Sequence, residues 1–440
     1  MVMKTDITII GAGLVGMTAA IALVQTGLDV VVIDSADLDE VRKKESDGRT
    51  CAIAAGSKNF FQEIGVWDDM KAYAGEICDI RVTDGNSPIF LHYDHKLIGN
   101  EPMGYIIENY YIREALFKKA KEEGRRKKGE GKLNIIAPAR YTDVQFGDDE
   151  CVVSVACHPE RSEGSIIANK RKILRYAQDD NITIHSQLII AADGKKSNIR
   201  KLAGIRTHEW NYGQSGIVCT IAHENHHQFT AQERFLPEGP FAVLPMAGGY
   251  HSSLVWTEKN ALVPVYMSMP PTEIEEQILL RTGEYLGKIK LASRMYSYPL
   301  SLCKAKTYIG KNLILIGDAA HAMHPLAGQG FNVGIRDVEE LTTLIRARRE
   351  GLREKGEEAT QTNYNFFPSP LALNSSPLLE DYETARMADS IALLGITDIL
   401  NRAFSNNILP LKTARRLGMA AVNKATPLKK FFMKHAMGVE

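Results

Sequence analysis

The residues best suited to chemistry lie between 317 and 337, in the run GDAAHAMHPLAGQGFNVGIRD. Asp318 follows Gly317 and a short apolar stretch, residues 313–316. A turn containing Pro325, Gly328, Gln329, Gly330, Phe331 and Asn332 then opens a helix. A carboxylate at a strand end can accept hydrogen bonds from a polyol. Small residues and unpaired backbone N–H groups at a helix N-terminus favour negative charge.

A second set stands near the other end of the chain. Gly11, Gly13 and Gly16 follow the strand-like residues 6–10 (DITII) and precede a helical pattern reaching about residue 26, and residues 30–33 (VVVI) end in Asp34. Such glycines give a tight turn, a close approach for a pyrophosphate and helix-on-strand packing. An acid about 20 residues on is placed for a ribose 2′-hydroxyl. A third set, Asp193-Gly194 with Ser197 and Arg200, follows residues 188–192 (LIIAA). Alone, Asp193-Gly194 is a turn and Ser197 a helix start. A flavin dinucleotide has use for these features together: a pyrophosphate, a ribityl polyol and a ring that is anionic when reduced.

Elements that can position these sets follow from the pattern. Strands alternating with helices predict an open, largely parallel sheet of α/β type with helices on both faces. Because the sets lie far apart, a Rossmann-like FAD-binding domain must be discontinuous, here 1–75, 102–204 and 296–350. Residues 76–101 and 205–295 are expected to form a sheet-based (α+β) substrate domain. An irregular linker at 351–378 and a C-terminal helical segment at 379–440 complete the reading.

Bulk composition excludes several classes. The chain has 440 residues, 44% hydrophobic and 24% charged, with 53 basic and 53 acidic side chains. A balanced charge gives no field for nucleic acid. Six cysteines (Cys51, Cys78, Cys151, Cys157, Cys219, Cys303) include no CxxC pair, which points to reduced thiols and neither a zinc site nor a disulfide framework. The N-terminus enters a strand without a basic leader, and no run of 18 apolar residues free of glycine and charge occurs, so a cytoplasmic chain is expected, soluble or peripheral on the inner face of the membrane. His321 and His324 are close together but have no third partner at matching spacing, and no metal is expected. His226 and His227 read as a surface pair in a loop.

The three fingerprints, in this order, resemble the single-component flavoprotein aromatic hydroxylases. Within that group HPLAGQGFNVGIRD, residues 324–337, resembles the signature of the ubiquinone-biosynthesis hydroxylases. DGRTCA (47–52), GYIIEN (104–109), GPFAVLP (239–245) and VWT (255–257) agree with it, as do Thr397-Asp398 and the PLKK and AMG runs near the end. The resemblance spans nearly the whole chain. It implies FAD held by Gly11, Gly13, Gly16, Asp34, Asp193, Gly317 and Asp318. Arg49 and Arg113 would contact the pyrophosphate or ribose, with an ion pair as the alternative for Arg49, and Pro325 and Gly328 to Asn332 would line the ring. It further implies NAD(P)H as a transient donor, oxygen uptake as a flavin C4a-hydroperoxide, and hydroxylation of a polyprenylated phenol, with no side-chain nucleophile. Alternatives are a hydroxylase or epoxidase of this fold acting on a soluble aromatic or an isoprenoid, and a non-catalytic flavin-binding scaffold in a ubiquinone-biosynthesis complex.

Three stretches interrupt that pattern. Residues 157–180 are polar and charged, as is 124–132, and 350–378 is rich in Pro, Asn and Ser. The first reads as a disordered insertion at a hairpin tip, where extra length costs little. Residues 424–437 mix Lys424, Lys429, Lys430 and Lys434 with Leu428, Phe431, Phe432 and Met437. Such a helix suits a membrane surface and equally suits docking on its own protein.

Overall fold

Four short runs, Ile7–Ile10, Val30–Ile33, Leu188–Ala191 and Leu313–Leu315, are buried at every residue. Strands apolar on both faces belong in a parallel sheet covered on both sides. The computed structural model, which describes residues 1–43, 48–85, 87–125, 130–157, 181–323, 328–354, 371–404 and 408–438, builds that sheet. Its order is Ile309–Gly310, Leu313–Leu315, Leu188–Ala191, Ile7–Ile10, Val30–Ile33, Leu133–Ile136, and only the first strand is antiparallel. Leu188 pairs with Ile7 and Ile7 with Val30, so these strands point the same way in close register. Helix Leu14–Gln25, buried from Gly16 to Val24, packs against helices Asn109–Glu123 and Gln329–Glu354.

A second sheet of nine strands carries a different core. Its main path runs His321–Ala322, Tyr296–Ala305, Thr207–His223, His251–Lys259, Gly239–Pro245, Thr230–Leu236, Asp79–Asp84, Phe90–Asp94. One face packs Ile217, Cys219, Phe241, Leu254 and Trp256 on Ile274 and Ile278 of helix Pro271–Thr282. The other face turns toward Ala52 and Ile106 of the small sheet Thr50–Ala54, Gly104–Glu108, Gly75–Ile77, and toward the C-terminal helices. The nine-stranded sheet extends past residue 295, because Tyr296–Ala305 pairs with Thr207–His223 from Ala305 to Tyr296.

A third sheet joins Val2–Lys4, Ile182–Ser186, Cys151–Cys157 and Ala139–Phe146. Val155 faces Ile182 across an antiparallel pair, so the strands on either side of the insertion are hairpin partners; residues 158–180 themselves lie outside the described residues. Helix Gln329–Glu354 runs beyond 351, and the next helix, Ser376–Phe404, begins before 379. Helices Leu409–Lys424 and Thr426–Met437 follow. Among the described residues, no helix is long and apolar enough to cross a membrane. The histidine pair differs from expectation: His227 is buried and its Nε2 meets the Met246 carbonyl oxygen at 2.9 Å, because the turn at 226–230 folds back under the 246–249 turn.

Candidate active site

Parallel register brings the three sequence sets together. The glycine loop follows Ile10, Asp34 follows Ile33, Asp193 comes two residues after Ala191, and Gly317 two residues after Leu315. All four therefore lie at the carboxyl edge of one sheet, where open α/β folds bind ligands.

The three glycines have different causes. A Cβ on Gly11 (φ +110°) would lie 2.4 Å from the Ala192 carbonyl oxygen, and one on Gly16 would lie 2.0 Å from the Gly11 oxygen. Packing within the protein excludes both. Gly13 has φ −67° and its Cβ would meet nothing within 4 Å among the described residues. It begins helix Leu14–Gln25, whose N-terminus has no side-chain cap and no acid in the first turn. An open, uncapped helix end matches what an anionic pyrophosphate needs. Asp34 accepts hydrogen bonds from the Ala12 N–H (2.6 Å) and the Ala36 N–H (2.7 Å), which ties it to the loop.

The Asp318 turn is held from behind. Gly317 has φ +58°, and its N–H donates to Asp337 Oδ2 at 2.9 Å. His321 Nε2 lies 2.6 Å from the same oxygen, and Arg386 Nε donates to Asp337 Oδ1 at 2.8 Å. Arg386 also pairs with Asp389 at 2.9 Å. All three members of this clamp are buried. Burial alone would raise the Asp337 pKa, but the His321 and Arg386 charges outweigh it and hold it below the ordinary value. Burial likewise opposes a charged His321, yet Asp337 draws its pKa up. Asp318 makes no hydrogen bond to the described residues and is solvent-accessible, although protein surrounds it closely enough to desolvate its carboxyl. That enclosure raises its pKa, against the pull of His321, Arg49 and Lys195. Arg49 lies in the DGRTCA run and Lys195 in the third set, so residues far apart in sequence act on one carboxylate. The Arg49 guanidinium also lies over the Tyr298 ring at 4.9 Å.

The segment after Asp318 closes one wall. Gly328 (φ +64°) abuts Ala52, where a Cβ would lie 2.6 Å from the alanine methyl. Asn332 is buried and commits its amide to this contact, accepting from the Ala54 N–H (2.9 Å) and donating to the Ala52 oxygen (2.9 Å). The Phe331 ring stacks near Phe61 at 6.1 Å, Gln329 Nε2 reaches the Ala436 oxygen at 3.4 Å, and Gly330 packs beside Met323. His324 and Pro325 lie outside the described residues. Asp193 caps the helix at Asn198 through Oδ2, while its buried Oδ1 has no hydrogen-bond partner among the described residues. Arg113 donates to the Val41 oxygen at 2.8 Å, which fastens the segment after Asp34.

Reading the sequence misses Lys195, Asp337 and Arg386. Lys195 sits in the DGKKS run and Asp337 closes the long motif, so a local signal existed for both; Arg386 lies 49 residues from its partner and carries none. Among the described residues no cluster of three or more His, Cys, Asp or Glu is placed to hold a metal. The open Gly13 cradle, the uncapped helix and the accessible, enclosed Asp318 fit an FAD extended along the carboxyl edge.

Known proteins agree with that geometry. The model of a family described as an FAD binding domain matches residues 4–131 and 140–365. The ubiquinone hydroxylase UbiL of Rhodospirillum rubrum is 39% identical over 98% of this chain and 89% of its own. The 3-demethoxyubiquinol 3-hydroxylase of Escherichia coli is 31% identical, covering 99% of both chains. In structure, p-nitrophenol 4-monooxygenase PnpA of Pseudomonas putida superposes with a TM-score of 0.72 at 15% identity, over 100% of this chain and 99% of that one, which speaks for the fold. The chain belongs to the FAD-binding monooxygenase family, alongside the ubiquinone hydroxylases.

Proposed function

We propose that this protein hydroxylates the aromatic ring of a polyprenylated phenol in ubiquinone biosynthesis, with FAD bound and with NAD(P)H and O2 as co-substrates. The observation that carries the reading is the meeting of the glycine loop, Asp34, Arg49 and Asp318 at one sheet edge. In this reading Gly11, Gly13 and Gly16 hold the pyrophosphate on the helix end, and Asp34 takes the adenosine ribose. Asp318 accepts from the ribityl hydroxyls, Arg49 offsets phosphate charge, and Arg113 braces the loop beside Asp34. Gly328 to Gly330 line the ring edge, where backbone N–H groups oppose developing negative charge; Pro325, assigned to the same edge from the sequence, lies outside the described residues. When bound, FAD supplies hydride acceptance and oxygen activation; the chain binds, orients and keeps water out.

A polyprenyl tail confines the substrate to lipid, and helix Thr426–Met437 is built for both its neighbours. Met433 and Met437 are buried against the protein, while Leu428, Phe431 (63% exposed) and Phe432 face outward beside Lys430 and Lys434. We place that outer face on an anionic membrane surface.

The test is a quinone-lipid profile of ubiquinone-deficient bacterial strains, each lacking one ring hydroxylase, with this chain supplied. Rescue of one strain with loss of its accumulated precursor is expected, and identifies the ring carbon. A yellow, FAD-loaded protein that rescues none of them refutes the reading.

A further inference from the structure

Strand Thr230–Leu236 alternates its two faces. Gln232, Arg234 and Leu236 turn to the side of helix Pro271–Thr282, where Arg234 Nη2 donates to the Thr282 oxygen at 3.2 Å. Ala231, Glu233 and Phe235 turn the other way. Ala231 is buried in a cluster with Ile77, Met103, Ile106 and Met433, against which Ala52 packs. Phe235 is buried against Phe404 with ring centroids 4.2 Å apart. Glu233 thus sits between two apolar clusters, opposite Ala242 on one neighbouring strand and Val82 on the other.

Ala52 is the residue that Gly328 abuts and that Asn332 clasps. A continuous apolar wall therefore leads from the expected ring edge of the cofactor to Ala231, and Glu233 follows one same-face spacing further, about 7 Å. Its carboxyl makes no hydrogen bond or ion pair with the described residues; burial raises its pKa, yet the residue as a whole is only half-buried. The titratable groups on this face are engaged or distant in charge. Tyr93 is neutral, its phenol pushed up to about 12 by burial. Asp84 is paired with Arg415 and Arg416, and Lys429 of helix Thr426–Met437 donates to Asn423. No charge among the described residues balances Glu233. An unpartnered acid among apolar side chains costs the fold stability, and such groups concentrate where chemistry is done.

We propose that Glu233 accepts the hydrogen bond of the substrate's phenolic hydroxyl and takes its proton, which orients the ring and enriches it in electrons. The idea rests on the hydroxylase reading above. In the step the phenolic O–H bond breaks and its electron pair stays on oxygen as phenolate. The proton forms a new O–H bond on a Glu233 oxygen, and it returns to the phenolate when product leaves; nothing is oxidised or reduced. The chemistry needs a base stronger than an exposed glutamate, because phenols ionise near pH 10. The apolar enclosure supplies it, pushing the Glu233 pKa up to about 7, where a general base is effective at neutral pH.

The test uses the FAD-loaded full chain with 2-geranylphenol in mixed micelles as probe. Glu233→Gln keeps the shape and removes the proton acceptor; Glu233→Asp keeps an acceptor on a shorter arm. For the parent protein, kcat/KM is expected to fall about tenfold per unit as pH drops below about 7, with the phenolate absorbance of the bound probe falling in parallel. Glu233→Gln should lose roughly 100-fold in kcat/KM and become flat with pH, with FAD content and flavin reduction by NAD(P)H unchanged. Glu233→Asp should recover the pH dependence. A Glu233→Gln protein with the parent's rate and profile overturns the proposal alone. A parent protein that neither binds nor hydroxylates the probe overturns the hydroxylase reading with it.

Discussion

Gly13→Ala separates a glycine kept for a ligand from one kept for the fold. At φ −67° and ψ −179° the backbone suits any L-residue, and the added methyl meets no atom within 4 Å. Lower unfolded-state entropy should contribute about 0.4–1 kcal/mol, offset by the poorer helix-start preference of alanine. Stability of the FAD-free protein should therefore change by less than about 1 kcal/mol. The methyl projects where a phosphate would approach the helix end, and pushes its oxygens beyond the ~3.2 Å reach of an N–H donor. Loss of one charge-assisted hydrogen bond costs about 1.5–3 kcal/mol, which weakens the FAD Kd roughly 10- to 150-fold. Gly11→Ala and Gly16→Ala are the contrast, because each drives a Cβ to 2.4 Å or less from a backbone oxygen and should destabilise the FAD-free fold itself. Thermal melting of stripped protein and calorimetric FAD titration read the two effects separately. A Gly13→Ala protein that binds FAD within twofold of the parent, or that unfolds like the other two, refutes the reasoning.

Asp318→Ala should fold normally, since no hydrogen bond to the described residues depends on that carboxylate, yet lose FAD during purification; retained yellow colour would remove Asp318 from the ribityl role. Asp337→Asn should cost about 3–5 kcal/mol in thermal or denaturant unfolding, because it leaves buried His321 without its countercharge and Arg386 with Asp389 alone; a melt matching the parent would show the clamp to be idle. The same clamp sets a pH window. The folded pKa of His321 is raised above its ordinary 6.5, so its contribution is whole below 6.5 and is lost as pH rises through the folded value. The folded pKa of Asp337 is depressed below 3.8, so its contribution is whole above 3.8 and is lost as pH falls through the folded value. Melting curves should show this stabilisation complete between about pH 4 and 6.5, and Asp337→Asn should flatten both flanks.

The cofactor edge was legible in sequence because its signals are local. A fully apolar run such as Val30–Ile33 buries itself on both faces, and an acid directly after it must emerge at the strand's end. With three such runs parallel, the far-separated motifs had to meet. Other parts depend on partners no local pattern names. His227 turned inward because Met246, 19 residues on, offers its carbonyl oxygen. Asn332 lies within the motif, yet its amide belongs to a strand 280 residues earlier. Tyr296–Ala305 joined the larger sheet through the long partner strand Thr207–His223, a pairing decided by register across the chain. Glu233 looked like any charged strand residue until both of its same-face neighbours proved to be buried.

The family match stops at residue 365, whereas the arm that steadies Gly317 comes from Arg386 in helix Ser376–Phe404. Cofactor affinity and the seating of that distant helix are therefore two readings of one coupled equilibrium. Whatever frees the helix loosens the Gly317-Asp318 turn, and by reciprocity a flavin bound on that turn would tighten the helix by the same free energy. The same helix carries Phe404, which packs on the sheet face that holds Glu233. One element thus gives the loaded protein a route by which filling the cofactor cleft is felt at the far wall of the apolar chamber.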